Sequence, residues 1–222
     1  MTTASSKSWS RPVFSPGRAD TVASVPARLA RIEDADAITE TIATAFHNDP
    51  LWSWAFADAT RRPAQFRIWW RVFVDAAFRN GNWTWVTGSC ASVALWTRPG
   101  GTELTAADEM QLVRLVGDLI GGDHGNAVLR VLAGFDAAHP HDIPHYYLSI
   151  VGTHDDHRGH GIGEALLAEN LERIDAEHMP AYLESSNPAN LARYQRLGFE
   201  PTGEIFVADG RPVVTTMWRA PR

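Results

Sequence analysis

A glycine-rich turn is the feature of this 222-residue sequence whose residue types point most directly to chemistry. In the segment HRGHGIGEALL, glycines occupy positions 159, 161 and 163, after an apolar run and before a segment with helical spacing. Such a turn presents backbone N–H groups at the positive end of a helix dipole, where they can bind a phosphate or pyrophosphate. The bare pattern is equally typical of a plain tight turn, so both interpretations stay open at this point.

Two common phosphate-binding motifs can be compared with these letters directly. A dinucleotide fingerprint would place its third glycine at position 164, which is Glu164. A P-loop would need a Gly-Lys-Ser or Gly-Lys-Thr triplet, which the sequence lacks. Neither motif describes this turn.

The elements that must position the turn are seven predicted strands and six predicted helices. Apolar and β-branched runs predict strands in ARLARI (27–32), 83–87, 91–97, YYLSIVGT (146–153), 182–185, and around Ile205 and Val214. Helical spacing predicts helices from Asp34 or Asp36 to Phe46, from Pro63 to Asn80, two within 105–138 separated by Gly121-Gly122, from the glycine turn to near His178, and from Pro188 to Leu197. Gly88-Ser89 and Asp209-Gly210 are predicted hairpin turns.

Composition and charge argue against a nucleic-acid-binding protein and against a membrane-spanning protein. The formal net charge of −6 supplies no basic field for nucleic acid, and every hydrophobic stretch is too short or too polar for a membrane helix. The single cysteine, Cys90, fits a reducing compartment, so we expect a cytoplasmic protein. Residues 1–26 are rich in Ser, Pro and Ala and predict a flexible tail before one domain at 27–222.

Two segments together resemble one family. RGHGIG matches the Arg/Gln-x-x-G-x-G/A signature of the GCN5-related N-acetyltransferases (GNAT) at Arg158, Gly161 and Gly163. Downstream, YLESSNPANLARYQRLGF resembles the second diagnostic region of that family. Its Leu-Glu-Ser-Ser strand end, its Asn and Tyr spacing and a helical insertion before the fourth strand are most similar to the puromycin N-acetyltransferase-like branch.

This resemblance implies an α/β (α+β) fold with a central mixed, largely antiparallel sheet of about seven strands, splayed between strands 4 and 5 and flanked by helices. It implies acetyl-CoA as the cofactor, held by backbone amides of the glycine turn and by pairing of pantetheine with the fourth strand. It also implies a backbone N–H near Ile150 or Val151 that polarises the thioester carbonyl. The implied cofactor-binding residues are Ile150, Val151, Gly152, Thr153, Arg158, Gly159, His160, Gly161, Ile162, Gly163, Asn187, Asn190 and Tyr194.

The resemblance further implies two catalytic side chains. Tyr194 is the family-matched general acid for the departing thiolate, although a helix tyrosine could also simply pack beside Phe199. Glu184 is the candidate base for the substrate ammonium, because the fourth strand carries no acidic residue. Its alternative role is structural, as a carboxylate that caps a turn or pairs with Arg193.

The acceptor is expected to be an amine of a small molecule, with Asp49, Trp52, Trp54 and Glu184 as candidate contacts. We place the two tryptophans in a loop after Asp49-Pro50. His139, His141 and His145 lack a recognisable ligand pattern, so no metal is assigned, and His154, His157 and His160 are either solvated loop residues or phosphate contacts. The alternatives are acetylation of protein N-termini or lysines and a non-catalytic acyl-CoA-binding regulator; a monomer or homodimer is expected.

Overall fold

One seven-stranded sheet organises the computed structural model, which describes residues 26–206 and 213–222. Its strands are β1 (Ala27–Leu29), β2 (Trp83–Thr87), β3 (Ser92–Thr97), β4 (Tyr146–Thr153), β5 (Ala181–Ser185), β6 (Glu200–Phe206) and β7 (Val213–Arg219). Their spatial order is β1-β2-β3-β4-β5-β7-β6, and each neighbouring pair is antiparallel except β4 and β5, which are parallel. This mixed, mostly antiparallel sheet confirms the predicted fold class.

Helices pack on both sides of the sheet. They are α1 (Ala35–Ala45), α2 (Pro50–Ala55), α3 (Arg62–Arg79), α4 (Ala106–Leu119), α5 (Gly122–Ala138), α6 (Ile162–Ala176) and α7 (Leu191–Arg196). The predicted insertion before β4 is therefore the α4–α5 pair, with Gly121 at a φ of 70° between the two helices. In the part of the chain that the structure describes, no helix has both the length and the hydropathy needed to cross a membrane.

Alternating side chains of the strands divide the buried apolar residues into two cores. On β3, Val93 and Leu95 belong to one core, while Ala94 and Trp96 belong to the other. The first core collects side chains from α1, α3, α4 and α5, including Ile38, Ile42, Phe66, Trp69, Trp70, Val116 and Val128. The second lies beside α6 and includes Leu166, Leu167, Leu171, Ile174 and Phe199. Because successive strand residues point to opposite faces, the two cores sandwich the sheet.

A β-bulge at Ser149 interrupts this alternation on β4. Leu95 pairs with Ile150 and Trp96 pairs with Leu148, so Ser149 is the extra residue. As a result, Leu148 lies in the core beside α6 and Ile150 in the core beside α1. Bulges re-aim side chains and often lie next to functional sites.

Three local predictions were wrong in detail. Trp52 and Trp54 lie in helix α2 and not in a loop, because the Asp49 carboxylate caps the amides of the first turn and Pro50 has the φ that a first helical residue needs. The β2–β3 connection spans 88–91, with Gly88 and Cys90 at positive φ, and is longer than the predicted two-residue turn.

The third difference concerns the first strand. β1 ends at Leu29, and a 3-10 turn over Ile32–Asp34 precedes α1. The Asp34 side chain does not cap that helix; it pairs with Arg28 at 2.7 and 2.8 Å, and this ion pair lowers the carboxyl pKa to about 2. Residues 1–25 of the predicted tail and the Asp209-Gly210 turn lie outside the described residues.

Candidate functional site

A gap between β4 and β5 opens where their pairing stops. The two strands pair from Tyr146–Ala181 to Leu148–Leu183, and β4 then continues to Thr153 while β5 ends at Ser185. From Ser149 onward, no strand among the described residues pairs with the β5-facing edge of β4. A cleft of about 1450 Å³ follows this edge, lined by β4, the glycine turn, α7 and the α4–α5 insertion. The unpaired edge leaves backbone groups available to an extended ligand.

The glycine turn lies at one end of this cleft and starts α6. Gly161 is the N-cap with a φ of 73°, and its carbonyl accepts the first helical bond from Ala165 at 2.9 Å. Gly159 also has positive φ, at 81°. At Gly163 a Cβ would lie 2.6 Å from the Thr153 hydroxyl oxygen, so only glycine lets the helix begin this close to β4. The first amides of α6 are directed out of the helix beside the end of β4.

Arg158 stabilises the turn rather than projecting freely. Its Nη2 donates to the Ala45 carbonyl at 2.5 Å and lies 3.0 Å from Asp155 Oδ1. The side chain therefore ties the turn to the last residue of α1. His160 is exposed and its Nδ1 lies 3.3 Å from the His157 carbonyl oxygen, while Ile162 lines the cleft.

The exit of β5 supplies the opposite wall of the cleft. Asn187 Oδ1 accepts from the Ala189 amide at 3.0 Å, and Asn190 Oδ1 accepts from Arg193 Nη1 at 3.3 Å. Both asparagines line the cleft, but the side-chain oxygen of each already accepts a hydrogen bond from a residue two or three positions along the chain. Their contact with a cofactor stays a prediction.

Tyr194 lines the cleft from α7 and is 9% exposed. Its ring centroid lies 6.2 Å from that of Phe199 in an edge-to-face arrangement. Burial raises the pKa of the hydroxyl to about 12, with a further contribution from the negative charge of Asp49. The hydroxyl is therefore protonated at neutral pH, which is the state that a proton donor needs.

Asp49 is buried between α1 and α2 and ties this region to the exit of β5. Its Oδ1 accepts from the amides of Leu51 and Trp52 at 3.0 and 3.2 Å, and its Oδ2 accepts from the Ser186 hydroxyl at 2.7 Å. Burial raises the pKa of the carboxyl group. These bonds account for Asp49 as a helix cap and a cross-link between the two walls of the cleft.

The two candidate tryptophans separate in space. Trp52 packs against Trp69 and Trp70, with ring centroids 5.8 and 4.8 Å away, and also lines the cleft. Trp54 packs edge-on against His124 at 4.8 Å and is not among the residues that line the cleft. Of the two, only Trp52 is placed where it could touch a ligand.

Glu184 lines the cleft from β5, with 3% of its side chain exposed. Neither structural role considered for it is observed: Arg193 bonds Asn190, and the Glu184 Oε1 atom accepts no hydrogen bond from the described residues. The nearest basic group is His139 Nδ1, 3.9 Å from Oε1. Glu184 is thus a buried carboxylate that faces the cleft with its Oε1 atom unpartnered among the described residues, and it helps to raise the pKa values of the neighbouring Tyr147 and Tyr182 hydroxyls.

Sequence reasoning missed a second carboxylate, Glu103, which lies in the segment between β3 and α4. It accepts a hydrogen bond from the hydroxyl of Ser149, the bulged residue of β4. Burial, together with the charge of Glu184, raises the pKa of Glu103 to about 7, against the effect of the Ser149 bond. Burial and these two carboxylates also hold the pKa of Tyr147 well above its usual range. Only the Gly100-Gly101 turn signal before Glu103 marks this segment in the sequence.

Two histidines of the segment between α5 and β4, His139 and His145, pack against aromatic rings beside Glu184 and Glu103. The His139 ring centroid lies 4.9 Å from His145, 4.7 Å from Tyr147 and 5.2 Å from Tyr182. Across the described ranges, 26–206 and 213–222, no three His, Cys, Asp or Glu side chains are grouped as metal ligands would be. His139 and His145 are thus parts of an aromatic wall.

Known proteins resemble this chain in sequence and in fold. Residues 121–201, which contain β4, the glycine turn, α6, β5 and α7, match the family described as Acetyltransferase (GNAT) domain. An L-methionine sulfoximine/L-methionine sulfone acetyltransferase from Pseudomonas paraeruginosa is 41% identical over 58 residues, which are 25% of this chain and 34% of that protein. The chain therefore matches about a third of the length of this curated relative.

Two solved structures extend the likeness over most of the chain. A Corynebacterium glutamicum structure described as histone acetyltransferase HPA2 and related acetyltransferase is 26% identical, with a TM-score of 0.66, and covers 88% of this chain and 96% of its own. A Staphylococcus aureus N-acetyltransferase, 18% identical, has a TM-score of 0.56 and covers 87% and 99%. The described chain has the GNAT fold, and its segment 121–201 is similar to the family described as Acetyltransferase (GNAT) domain.

Proposed function

We propose that this protein is an N-acetyltransferase that moves the acetyl group of acetyl-CoA directly to the amine of a small molecule. The observation that carries the proposal is the unpaired edge of β4, which runs from the Ser149 bulge to the glycine turn with Tyr194 beside it. This edge offers strand-like pairing, and the turn that follows it offers an anion site. A ligand with an extended amide arm and a pyrophosphate matches both.

The residues of this region fit coenzyme A. The backbone of Val151, Gly152 and Thr153 would pair with the pantetheine arm, and the amides from Arg158 to Gly163 would hold the pyrophosphate. The left-handed Gly161 has no heavy atom within 4 Å of where its Cβ would be, so a phosphate can approach the backbone there. Asn187 and Asn190 would contact the cofactor from the β5 exit. When bound, acetyl-CoA supplies an acyl group activated as a thioester.

The chain's own groups would then carry out three tasks. A backbone N–H near Ile150 or Val151, just beyond the bulge, would donate to the developing oxyanion. Tyr194, protonated at neutral pH, would donate a proton to the departing thiolate. Glu184 would accept a proton from the acceptor ammonium, directly or through water.

A small-molecule acceptor is supported by the partial sequence match to a methionine sulfoximine acetyltransferase and by the depth at which Glu184 lies. The α4–α5 insertion and the YLESS strand end support the puromycin N-acetyltransferase-like branch. Trp52 stays a proposed acceptor contact through its place on the cleft wall.

Release of free CoA thiol tests the proposal. The purified protein is mixed with acetyl-CoA and, separately, with small amines, with peptides that have free N-termini and lysines, and with no acceptor. We expect thiol release that depends on a small amine, with the acetylated amine identified by mass spectrometry. Turnover with peptides alone would assign a protein acetyltransferase, and CoA binding without any turnover would assign a regulator.

Replacement of Glu184 tests the proposed base. An aliphatic ammonium has a pKa of about 10.4 and is almost wholly protonated at neutral pH, so it needs a proton acceptor. Glu184→Gln should therefore lower kcat/KM most near pH 7, on the order of 10²-fold, and regain part of the loss at alkaline pH. A pH–rate profile that overlays that of the parent protein would remove Glu184 from the mechanism.

A further inference from the structure

Two carboxylates from distant parts of the chain share one end of the cleft. Glu103 comes from the segment between β3 and α4, and Glu184 comes from β5. Leu148 of β4 pairs with Leu183 of β5, so Ser149, which donates to Glu103, and Glu184 are the next residues of these two neighbouring strands. The charge of Glu184 also contributes to the raised pKa of Glu103, in agreement with this closeness. We name Glu103 and Glu184 the carboxylate pair.

Glu103 is held in place by the residues around it. Asn80 Nδ2 donates to the carbonyls of Thr102 and Glu103 at 3.1 and 3.0 Å, and Asn82 Nδ2 donates to Thr102 at 2.9 Å. Thr105 then caps α4 through a reciprocal bond with Asp108. The Glu103 backbone is thus fixed between the end of α3 and the start of α4, and its carboxylate is anchored on Ser149. Glu103 therefore has a defined position in the fold and is not a mobile surface acid.

One oxygen of the Glu184 carboxylate lacks the partner that its burial calls for. The side chain is 3% exposed, and Oε1 accepts no hydrogen bond within the described residues. A buried carboxylate oxygen without a donor is costly, and a second carboxylate close by increases that cost. A cation bound between the two groups would relieve both penalties. An ammonium is suited to this role, because it offers three donors and one positive charge.

The walls around the carboxylate pair favour a cation on an apolar body. The aromatic rings of Tyr147, Tyr182 and His139 stand within 4.7 to 5.9 Å of one another, and aromatic faces attract cations. Further along, the insertion lines the cleft with apolar side chains, namely Val113, Leu129, Leu132, Phe135 and Ile143. In the described part of the chain, neither carboxylate forms an ion pair with an arginine.

We infer that the carboxylate pair of Glu103 and Glu184 binds the ammonium group of the acceptor, and that the acceptor is a primary amine on an apolar or aromatic body rather than an amino acid. An amino acid would bring its α-carboxylate next to the ammonium, and the negative charge of the carboxylate pair would repel it. Glu103 is therefore a specificity-determining residue. The inference rests on the proposed function only where it treats the bound amine as the acetyl acceptor. Binding of an ammonium group at this site does not require turnover.

Calorimetry with a matched pair of probes tests the inference. Phenethylamine and phenylalanine differ only by the α-carboxylate, and each is titrated into the protein in the presence of CoA. We expect the parent protein to bind phenethylamine at least tenfold more tightly than phenylalanine. Glu103→Gln and Glu184→Gln should each weaken phenethylamine binding at least tenfold. Glu172→Gln, at an exposed position on α6 that does not line the cleft, is the charge-matched control and should bind like the parent.

Each outcome decides the inference or separates it from the proposed function. Parent-like phenethylamine affinity in Glu103→Gln, with a melting temperature no lower than that of the parent, overturns the paired site. No phenethylamine binding by the parent, or equal binding of phenylalanine, overturns the assigned ligand class. Glu103-dependent binding without any thiol release would refute the acetyltransferase while supporting the ammonium site. If Glu103→Gln releases thiol with the same kcat/KM as the parent, the acetyltransferase is supported and the role of Glu103 in binding the ammonium is refuted.

Discussion

Tyr194 combines a packing role with a position on the cleft wall. Its ring belongs to the core beside α6 together with Phe199, yet the residue also lines the cleft. Packing beside Phe199 and proton donation, the two roles considered from the sequence, are thus compatible, because the ring can be buried while the hydroxyl faces the cleft. Burial and Asp49 keep the hydroxyl protonated, so the group can act as a donor and not as a phenolate.

Removal of the Tyr194 hydroxyl should separate chemistry from binding. Tyr194→Phe retains the ring and its contact with Phe199, so we expect kcat to fall on the order of 10²-fold while acetyl-CoA affinity changes little. Steady-state kinetics and calorimetry measure the two quantities. Tyr146→Phe is the control, because Tyr146 bonds Glu177 at 2.8 Å outside the cleft and should cost stability without lowering kcat. Parent turnover in Tyr194→Phe would leave packing as its only role.

Glu103 should make stability depend on pH in a defined direction. Its pKa in the fold is about 7, above the usual 4.5, so the folded state binds this proton more tightly than the unfolded state. The contribution of Glu103 to stability is therefore greatest below pH 4.5 and is lost as the pH rises towards 7. Glu103→Gln removes this loss and should be more stable than the parent at pH 8 by about 1–2 kcal/mol.

Denaturant unfolding of the ligand-free protein at pH 5 and pH 8 measures this difference. The gain from Glu103→Gln should be small at pH 5 and larger at pH 8, while Glu172→Gln, at an exposed position on α6, should follow the parent at both. Equal effects at the two pH values would mean that the Glu103 carboxyl titrates as an exposed acid.

At the scale of elements, α6 and the end of β4 form one unit. Gly163 permits their contact, Gly161 starts the helix in the left-handed region, and Arg158 ties the turn to α1. The amides at the start of α6 thus have a fixed direction before any ligand arrives. A preorganised anion site needs this property.

Charge at position 161 should control acetyl-CoA affinity. Asp and Asn both tolerate left-handed φ and both cap helices well, so Gly161→Asp and Gly161→Asn should fold alike. Only Asp places a negative charge against the phosphates, and we expect it to bind acetyl-CoA at least tenfold more weakly than Asn does, in calorimetry at low salt. Equal affinity of the two variants would place the pyrophosphate elsewhere.

Periodicity and turn residues predicted most elements of this fold. All seven strands and six of the seven helices of the described chain lie where the pattern places them, to within a few residues. The exception, α2, was missed although Asp49-Pro50 is itself a helix-start signal. Its short length gives too little periodicity to outweigh the neighbouring turn residues.

The acceptor end of the site could not be predicted in the same way. The Glu103–Ser149 bond joins residues 46 positions apart, and it depends on a bulge that shifts the β4 register. No local pattern encodes such a contact, because its partners meet only after the sheet and the insertion have packed together. The glycine turn and Tyr194, by contrast, lie in contiguous segments whose letters carry the pattern.

At the scale of the molecule, the sheet consists of two antiparallel halves that meet at a short seam. One half contains β1 to β4, the other contains β5, β7 and β6, and only three residue pairs join β4 to β5. Contacts beyond the seam also connect the halves, including the Ser186–Asp49 bond and Gly134 of α5 against Ile205 of β6. A ligand that pairs with the open edge of β4 would add hydrogen bonds beside this seam, where β4 and β5 pair over three residues.

Hydrogen exchange should therefore show localised protection when acetyl-CoA binds. We expect slower exchange at the backbone amides of 158–164 and at those amides of 149–153 that point away from β3, because pairing and phosphate contacts would occupy groups that are open without ligand. Amides of β2 and of the β7 segment paired with β5 already have strand partners and should change less. Gly161→Asp at the same acetyl-CoA concentration is the control and should lose most of the protection at 158–164. A general slowing of exchange over all strands would indicate only the global stabilisation that any ligand of the folded state gives, and would contradict binding at the β4 edge.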